Sequence, residues 1–148
     1  MKTGEYKGMM IDPYNHLKIP PKFSTSPYNY HYEVISKFKQ WSGEKNCTIF
    51  LNTHVGTIGA RKIHQDGEFK GHPTVPEKFD IENGVMFDNK ADDFIVVHRY
   101  VQMQGREFIT EIHVKKVKET WSGGRPTPLG IPVELTLSRQ NGFGSFYD

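Results

Sequence analysis

Apolar and polar positions follow two patterns along this chain, helical spacing early and alternation late. Between residues 30 and 45, Tyr30, Val34, Phe38 and Trp41 recur every three or four positions. Ile35 widens the stripe, and Lys37, Lys39, Gln40 and Glu44 take the other side. That spacing predicts an amphipathic helix. Ser26 or Asn29 suits its start, and Gly43 suits its end. Two short apolar runs flank it. Met9, Met10 and Ile11 lead into Asp12 and stop at Pro13, and residues 47–51 (CTIFL) lead into Asn52, Thr53 and His54. Both read as buried strands with polar groups at their tips, while the proline-bearing segment 18–27 reads as an extended loop. Strand, helix, strand predicts a right-handed βαβ crossover, with Asp12 and His54 on the same edge of a parallel sheet.

Residues 55–79 hold few apolar positions and many glycines, histidines and lysines. A patternless stretch of that length is uncommon in a compact domain and is usually functional or mobile. Residues 80–92 predict a short helix broken at Gly84, and the apolar run FIVVHRYV at 94–101 reads as a strand. Residues 108–117 and 131–137 alternate. Ile112 and Val114 face one way against Glu111, His113 and Lys115, and Val133, Leu135 and Leu137 oppose Glu134, Thr136 and Ser138. Between them, SGGRPTPLG is a turn-rich connector. The order predicts an α/β chain with parallel strands first and an antiparallel pair last.

A length of 148 residues fits one domain, 1–148, which at this size buries ~68–70% of its unfolded surface. The formal net charge of +2 makes no case by itself for a polyanionic partner. The single cysteine, Cys47, lies in an apolar run, as expected of a buried thiol in a reducing compartment. No run approaches the ~18 apolar residues of a bilayer span, and the polar start MKTGEYKG is unlike a signal peptide. A soluble, cytoplasmic chain without a membrane partner is the expectation.

Seven histidines invite a metal reading, yet none of them has HExxH or short Cys/His spacing. No Gly-x-Ser-x-Gly elbow occurs either. The more telling acid is Asp12, because a carboxylate at a strand tip can help hold Mg²⁺ beside phosphates. His54, on the same edge, is either a phosphate-facing group or a histidine satisfied by nearby backbone. Arg61, Lys62, His64 and Lys70 follow among glycines, a composition that suits phosphate-backbone contacts or an ordinary solvated loop. Lys116 and Lys118 are separated by one residue, on one face of a strand near its end. Such a pair is a solvated face in a monomer and a trans source of positive charge in a ring-shaped NTPase.

In this order, these elements resemble the C-terminal half of the RecA-like (P-loop NTPase) motor of hexameric replicative DNA helicases. This is the DnaB, Twinkle and phage primase-helicase group, and the likeness is greatest to members with a toprim primase domain upstream. It runs over residues 7–147. IDPYN resembles Walker B, and FLNTH resembles the strand that ends in a nucleotide-sensing residue. DIENG followed by KADDFIVVHRY resembles the family's Asp, Gly turn, Ala-Asp pair and apolar strand ending in Arg. EIHVKKVKE resembles the strand bearing a Lys-x-Arg cation pair. The resemblance implies ATP and Mg²⁺ as cofactors, with Asp12 and His54 at the nucleotide and Asp12 acting on the metal indirectly. It implies catalytic roles for Asp12, His54, Lys116 and Lys118, the lysines reaching a neighbour's ATP. It places Arg61, Lys62, His64 and Lys70 on single-stranded DNA within a channel loop over residues 56–78. It also implies a homo-hexamer in the complete protein, working in DNA replication in a bacterial or phage-infected cell.

Three departures qualify this. No GxxxxGK[ST] segment occurs, and the family's catalytic glutamate is absent with it. Lys118 stands where the family has arginine, keeping the charge without the bidentate fork. Glu82 stands where many relatives have arginine, reversing a charge beside the channel loop. The expectation is that these residues alone do not hydrolyse ATP and need the motor's N-terminal half, the chain being a fragment, a split-gene product or a relic. The competing expectation is a non-catalytic module gripping single-stranded DNA. A metal-dependent hydrolase built on Asp12 lacks a second carboxylate at a neighbouring strand tip.

Overall fold

A computed structural model describes residues 7–81, 84–122, 124–140 and 143–147. Strand β1 (Gly8–Ile11) is followed by helix α1 (Pro27–Lys45) and strand β2 (Thr48–Leu51). The two strands pair in parallel, with Ile11 opposite Leu51, so the expected strand–helix–strand unit is present. Helix α1 starts three residues earlier than its stripe, because Pro27 is already preset for the first turn. It also runs past Gly43. Asn46 closes it in the left-handed region at φ 46°, and the Cys47 amide bonds back to the Ser42 carbonyl.

The chain continues through a single turn, α2 (Thr57–Ala60), a 3₁₀ turn at Lys78–Asp80, and helix α3 (Gly84–Lys90). Tyr14, Ile35, Ile81, Met86 and Phe87 form the buried core, with Ile11, Val34, Phe38, Leu51 and Phe94 packed around it. The parallel pair, α1, α3 and the next strand therefore share one apolar centre. Burial of these side chains, each contributing ~1.5–3 kcal/mol, is the main force holding those elements together.

Strands β3 (Asp93–His98), β4 (Ile109–Val117), β5 (Val133–Gln140) and β6 (Phe143–Tyr147) form a four-stranded antiparallel sheet in sequence order. The expected antiparallel pair is thus part of a larger meander, and the 94–101 run belongs to it rather than to the parallel strands. That run also ends early. After His98 the chain coils through turns closed by the Met103 amide to Tyr100 and the Arg106 amide to Met103, with Gly105 at φ 85°. The whole is mixed α/β with one parallel and one antiparallel sheet, compatible with part of a RecA-like fold. No helix among the described residues is long and apolar enough to cross a membrane.

Candidate nucleotide and nucleic-acid sites

Parallel pairing of β1 and β2 brings their tips together, and hydrogen bonds then lock them. The Asn52 side-chain amide donates to the Asp12 carboxylate at 2.5 Å. The Asn52 backbone amide donates to the Ile11 carbonyl, and the Tyr14 amide to the Asn52 carbonyl. The Asn15 side-chain oxygen accepts from the Thr53 hydroxyl at 2.7 Å and from the His54 amide at 3.0 Å. Asp12 and His54 are both exposed on this edge, as the crossover requires. The group against the carboxylate, however, is Asn52. Asn52 and Asn15 were missed as positioning residues, although their signal was present in the polar letters that end each apolar run.

Behind the edge, Tyr14 is buried with its hydroxyl 2.8 Å from the His31 ring. Burial, aided by Tyr30, pushes its pKa up to about 12, so it stays protonated. For Mg²⁺ the edge offers one carboxylate, and among the described residues no three His, Cys, Asp or Glu side chains converge on a metal. Those groups fit a single contact to a hydrated ion and do not form a complete cage. Nor does the sequence contain the motif of a phosphate cradle.

Beyond His54 the 55–79 stretch, patternless in sequence, holds local structure, with two helical turns and isolated bridges between its own segments. Helix α2 packs on the 3₁₀ turn at Lys78–Asp80, with the Gly56 amide on the Asp80 carbonyl. Lys62 reaches the buried Asp80 at 2.5 Å, and the other Asp80 oxygen accepts the Glu77 amide at 2.8 Å. Burial works to raise the Asp80 carboxyl. The Lys62 hydrogen bond, the Glu77 amide and the Lys62 charge outweigh it and hold the pKa below the ordinary carboxylate value. Lys62 therefore has a structural partner, whereas Arg61 and Lys70 are exposed.

The loop closes on itself further along. The His64 amide bonds to His72, the Gly71 amide to His64 and the Thr74 amide to Lys62. Phe69 stacks on the buried Tyr100 with ring centroids 4.6 Å apart, and His64 lies 3.2 Å from the Tyr100 hydroxyl. His64 is thus half-buried against the antiparallel sheet rather than projecting to solvent.

Beneath this loop lies a polar cluster that sequence reasoning missed. Glu111 and His113 are 5% and 6% exposed. The Glu111 carboxylate bonds His113 at 2.9 Å and Arg106 at 2.7 Å, and Arg106 also reaches Glu134. Burial lowers the His98 pKa, helped by the positive potential of His113 and His64 and opposed by Glu111 and the Pro73 carbonyl. The alternation on β4 was legible, but the burial of its polar face was not.

The two lysines at the end of β4, Lys116 within it and Lys118 just beyond, go to different partners. Lys116 donates to the Asp88 carbonyl of α3 at 2.5 Å. Lys118, one residue past the strand, pairs with Asp92 at 3.2 Å, and Lys39 of α1 binds the same carboxylate oxygen at 2.7 Å. Hydrogen bonding to Asp92, together with its charge, raises the Lys118 pKa. These lysines are placed by α3 and Asp92, whereas Asp12 is placed by Asn52 at the parallel-strand tip. Glu82 lies outside the described residues.

No family model matches the chain. Its sequence is 29% identical over 121 residues to the Twinkle homolog protein, chloroplastic/mitochondrial, of Arabidopsis thaliana. The match covers 79% of this chain but 15% of the relative, so the chain spans about 15% of the length of the curated protein it matches.

Proposed function

We propose that this chain is the C-terminal half of the RecA-like motor of a hexameric replicative DNA helicase. The observation that carries this is the edge where β1 and β2 end in register, with Asp12 fixed by Asn52 and His54 held at the neighbouring tip through Asn15. In that role Asp12 and His54 serve one ATP, with Asp12 contacting Mg²⁺ through water, and Lys116 and Lys118 serve the ATP of an adjacent subunit. The nucleotide supplies the phosphoanhydride whose hydrolysis drives movement. This chain contributes a carboxylate, an imidazole and two cations, and the phosphate cradle comes from a partner segment. The loop bearing Arg61, Lys62, His64 and Lys70 faces single-stranded DNA, with exposed Arg61 and Lys70 as its leading contacts. A homo-hexamer in the cytoplasm of a bacterial or phage-infected cell goes with this reading.

The test is complementation between subunits of a reconstituted whole motor. Asp12→Ala abolishes ATPase in its own site, and Lys118→Ala abolishes it in the neighbouring one. Rings mixed from the two variants recover activity at the interfaces that join an intact Asp12 to an intact Lys118. Absence of recovery rejects the trans role.

A second reading, a non-catalytic module for single-stranded DNA, is favoured by the docking of the basic loop on Tyr100 through Phe69 and by its own backbone bonds, with Arg61 and Lys70 left exposed. It requires salt-dependent binding by the chain alone, each lost phosphate contact changing the slope of log affinity against log salt by ~0.7. Replacement of Arg61, Lys62 and Lys70 together without loss of affinity eliminates it.

A further inference from the structure

Tyr100 is 4% exposed because two segments pack against it. From β3, the His98 ring stands edge-on to it, with centroids 4.5 Å apart. From the basic loop, Phe69 lies against it at 4.6 Å and His72 meets it edge-on at 6.2 Å. The His64 ring nitrogen is 3.2 Å from its hydroxyl. Two isolated bridges close the loop on itself, Ile63 with Pro73 and His64 with Lys70. His98 is thus part of the seat on which the loop rests, and the Pro73 carbonyl at the loop's end accepts a hydrogen bond from its ring.

This seat suits an uncharged imidazole. The His98 Nε2 is buried and has no hydrogen-bond partner among the described residues. The ring's N–H is therefore the one turned to Pro73, and a second proton, on Nε2, would meet no acceptor. The charges around the ring offer little relief. His98 stands opposite Glu111 across the strand pair. One Glu111 oxygen, however, bonds His113 at 2.9 Å, and the other bonds Arg106 at 2.7 Å. Arg106 also reaches Glu134 of β5, and its guanidinium lies 5.5 Å from the Phe69 ring centre.

We propose that His98 is a proton-operated latch for the 63–73 loop: the neutral ring seats the loop on Tyr100, and protonation lifts the loop so that the imidazolium reaches water. Burial, then the positive potential of His113 and His64, holds the His98 pKa below its ordinary value against the pull of Glu111 and Pro73. The seated loop therefore binds that proton more weakly than the lifted loop does. Docking is at full strength above the ordinary histidine value of ~6.5, and it weakens as pH falls from there to the docked value. The Lys62–Asp80 anchor at the loop's base keeps its charge pair through this range, because the Asp80 pKa lies below the ordinary carboxylate value. Opening is thus confined to the segment that carries Lys70, an exposed cation. The latch is independent of the motor reading, since it needs neither nucleotide nor a second subunit.

The test is native-state hydrogen exchange of the full chain, monitored by NMR from pH 8 down to pH 5.5. Each rate is expressed as protection relative to the unstructured rate at the same pH. The His64, Gly71 and His72 amides donate to carbonyls within the loop. They are expected to lose protection about threefold or more over this range, while the Asn52 amide at the parallel-strand tips keeps its own. The His98 ring nitrogens should titrate with the same midpoint. In His98→Phe, which keeps a ring beside Tyr100 and takes no proton, loop protection stays level with pH. His98→Gln gives the same result with a smaller side chain, and His64→Gln retains the pH dependence. Level protection in the parent overturns the proposal without any variant. So does a loss shared by Asn52, a His98 midpoint that differs from that of the amides, or a loss that persists in both His98 variants. A loss that vanishes only in His64→Gln overturns it as well.

Discussion

Gly59→Ala sets two physical effects against each other at the base of the basic loop. Helix propensity alone favours alanine over glycine in α2 by about 1 kcal/mol. Packing opposes it. A Cβ at position 59 would lie 2.6 Å from the Asp80 Cβ, 2.7 Å from a Val55 methyl and 3.0 Å from the Asp80 carbonyl oxygen. Carbon atoms prefer separations of ~3.5–4.0 Å, so both carbon contacts are about an ångström too short. Asp80 cannot simply step aside. Its carboxylate is held by Lys62 and the Glu77 amide, and its carbonyl by the Gly56 amide. Overpacking of this kind costs about 1–3 kcal/mol, which exceeds the propensity gain. The expected outcome is a net loss of up to about 2 kcal/mol. Urea unfolding of parent and variant measures it as a lower midpoint at unchanged slope. An unchanged or higher midpoint would refute the reasoning, because it would mean that α2 is free to move away from the Lys78–Asp80 turn.

Three further outcomes follow from the same contacts. The folded pKa of Asp80 lies below its unfolded value of ~3.9, so its stabilisation is present above that pH and is lost as pH falls through the folded pKa. Urea midpoints measured from pH 6 down to pH 3 should therefore fall more steeply for the parent than for Asp80→Asn, and parallel curves would reject the assignment. Glu111→Ala leaves buried His113 and Arg106 without their shared carboxylate. It should cost about 3 kcal/mol in thermal or urea unfolding, and a loss below about 1 kcal/mol would mean that the cluster is solvated. Phe69→Ala removes the ring that covers Tyr100. It should speed tryptic cleavage at Lys70 well before it alters global unfolding, and an unchanged cleavage rate would show that the backbone bonds of the loop suffice to hold it.

Much of the fold was legible locally. The stripe of Tyr30, Val34 and Phe38 specified α1, and the runs ending at Asp12 and His54 specified two strands that do lie side by side. The polar tips were found for the same reason, since a buried run that stops at an acid or amide leaves that group at the sheet edge. The start and end of α1 were less legible. Ser26 precedes the helix without a side-chain cap bond, and Asn46 rather than Gly43 provides the left-handed residue.

The sequence by itself determined where the periodic elements lie and which residues share a face, because periods of 3.6 and 2 are properties of the local backbone. It also placed Lys116 and Lys118 near the end of one strand and the cations among the glycines after His54. Tertiary structure decided which face is covered. On β4 the alternating pattern fits burial of either side, and docking of the 63–73 loop through Phe69 and Tyr100 put Glu111 and His113 inside. It also decided which charges are engaged. Lys62 is taken by Asp80, 18 positions away, and Lys118 by Asp92, 26 positions away, through contacts that no local pattern encodes. A charge in a sequence has a sign but no partner. Only the folded chain, by bringing distant segments within a few ångströms, fixes whether that charge faces a ligand or another residue.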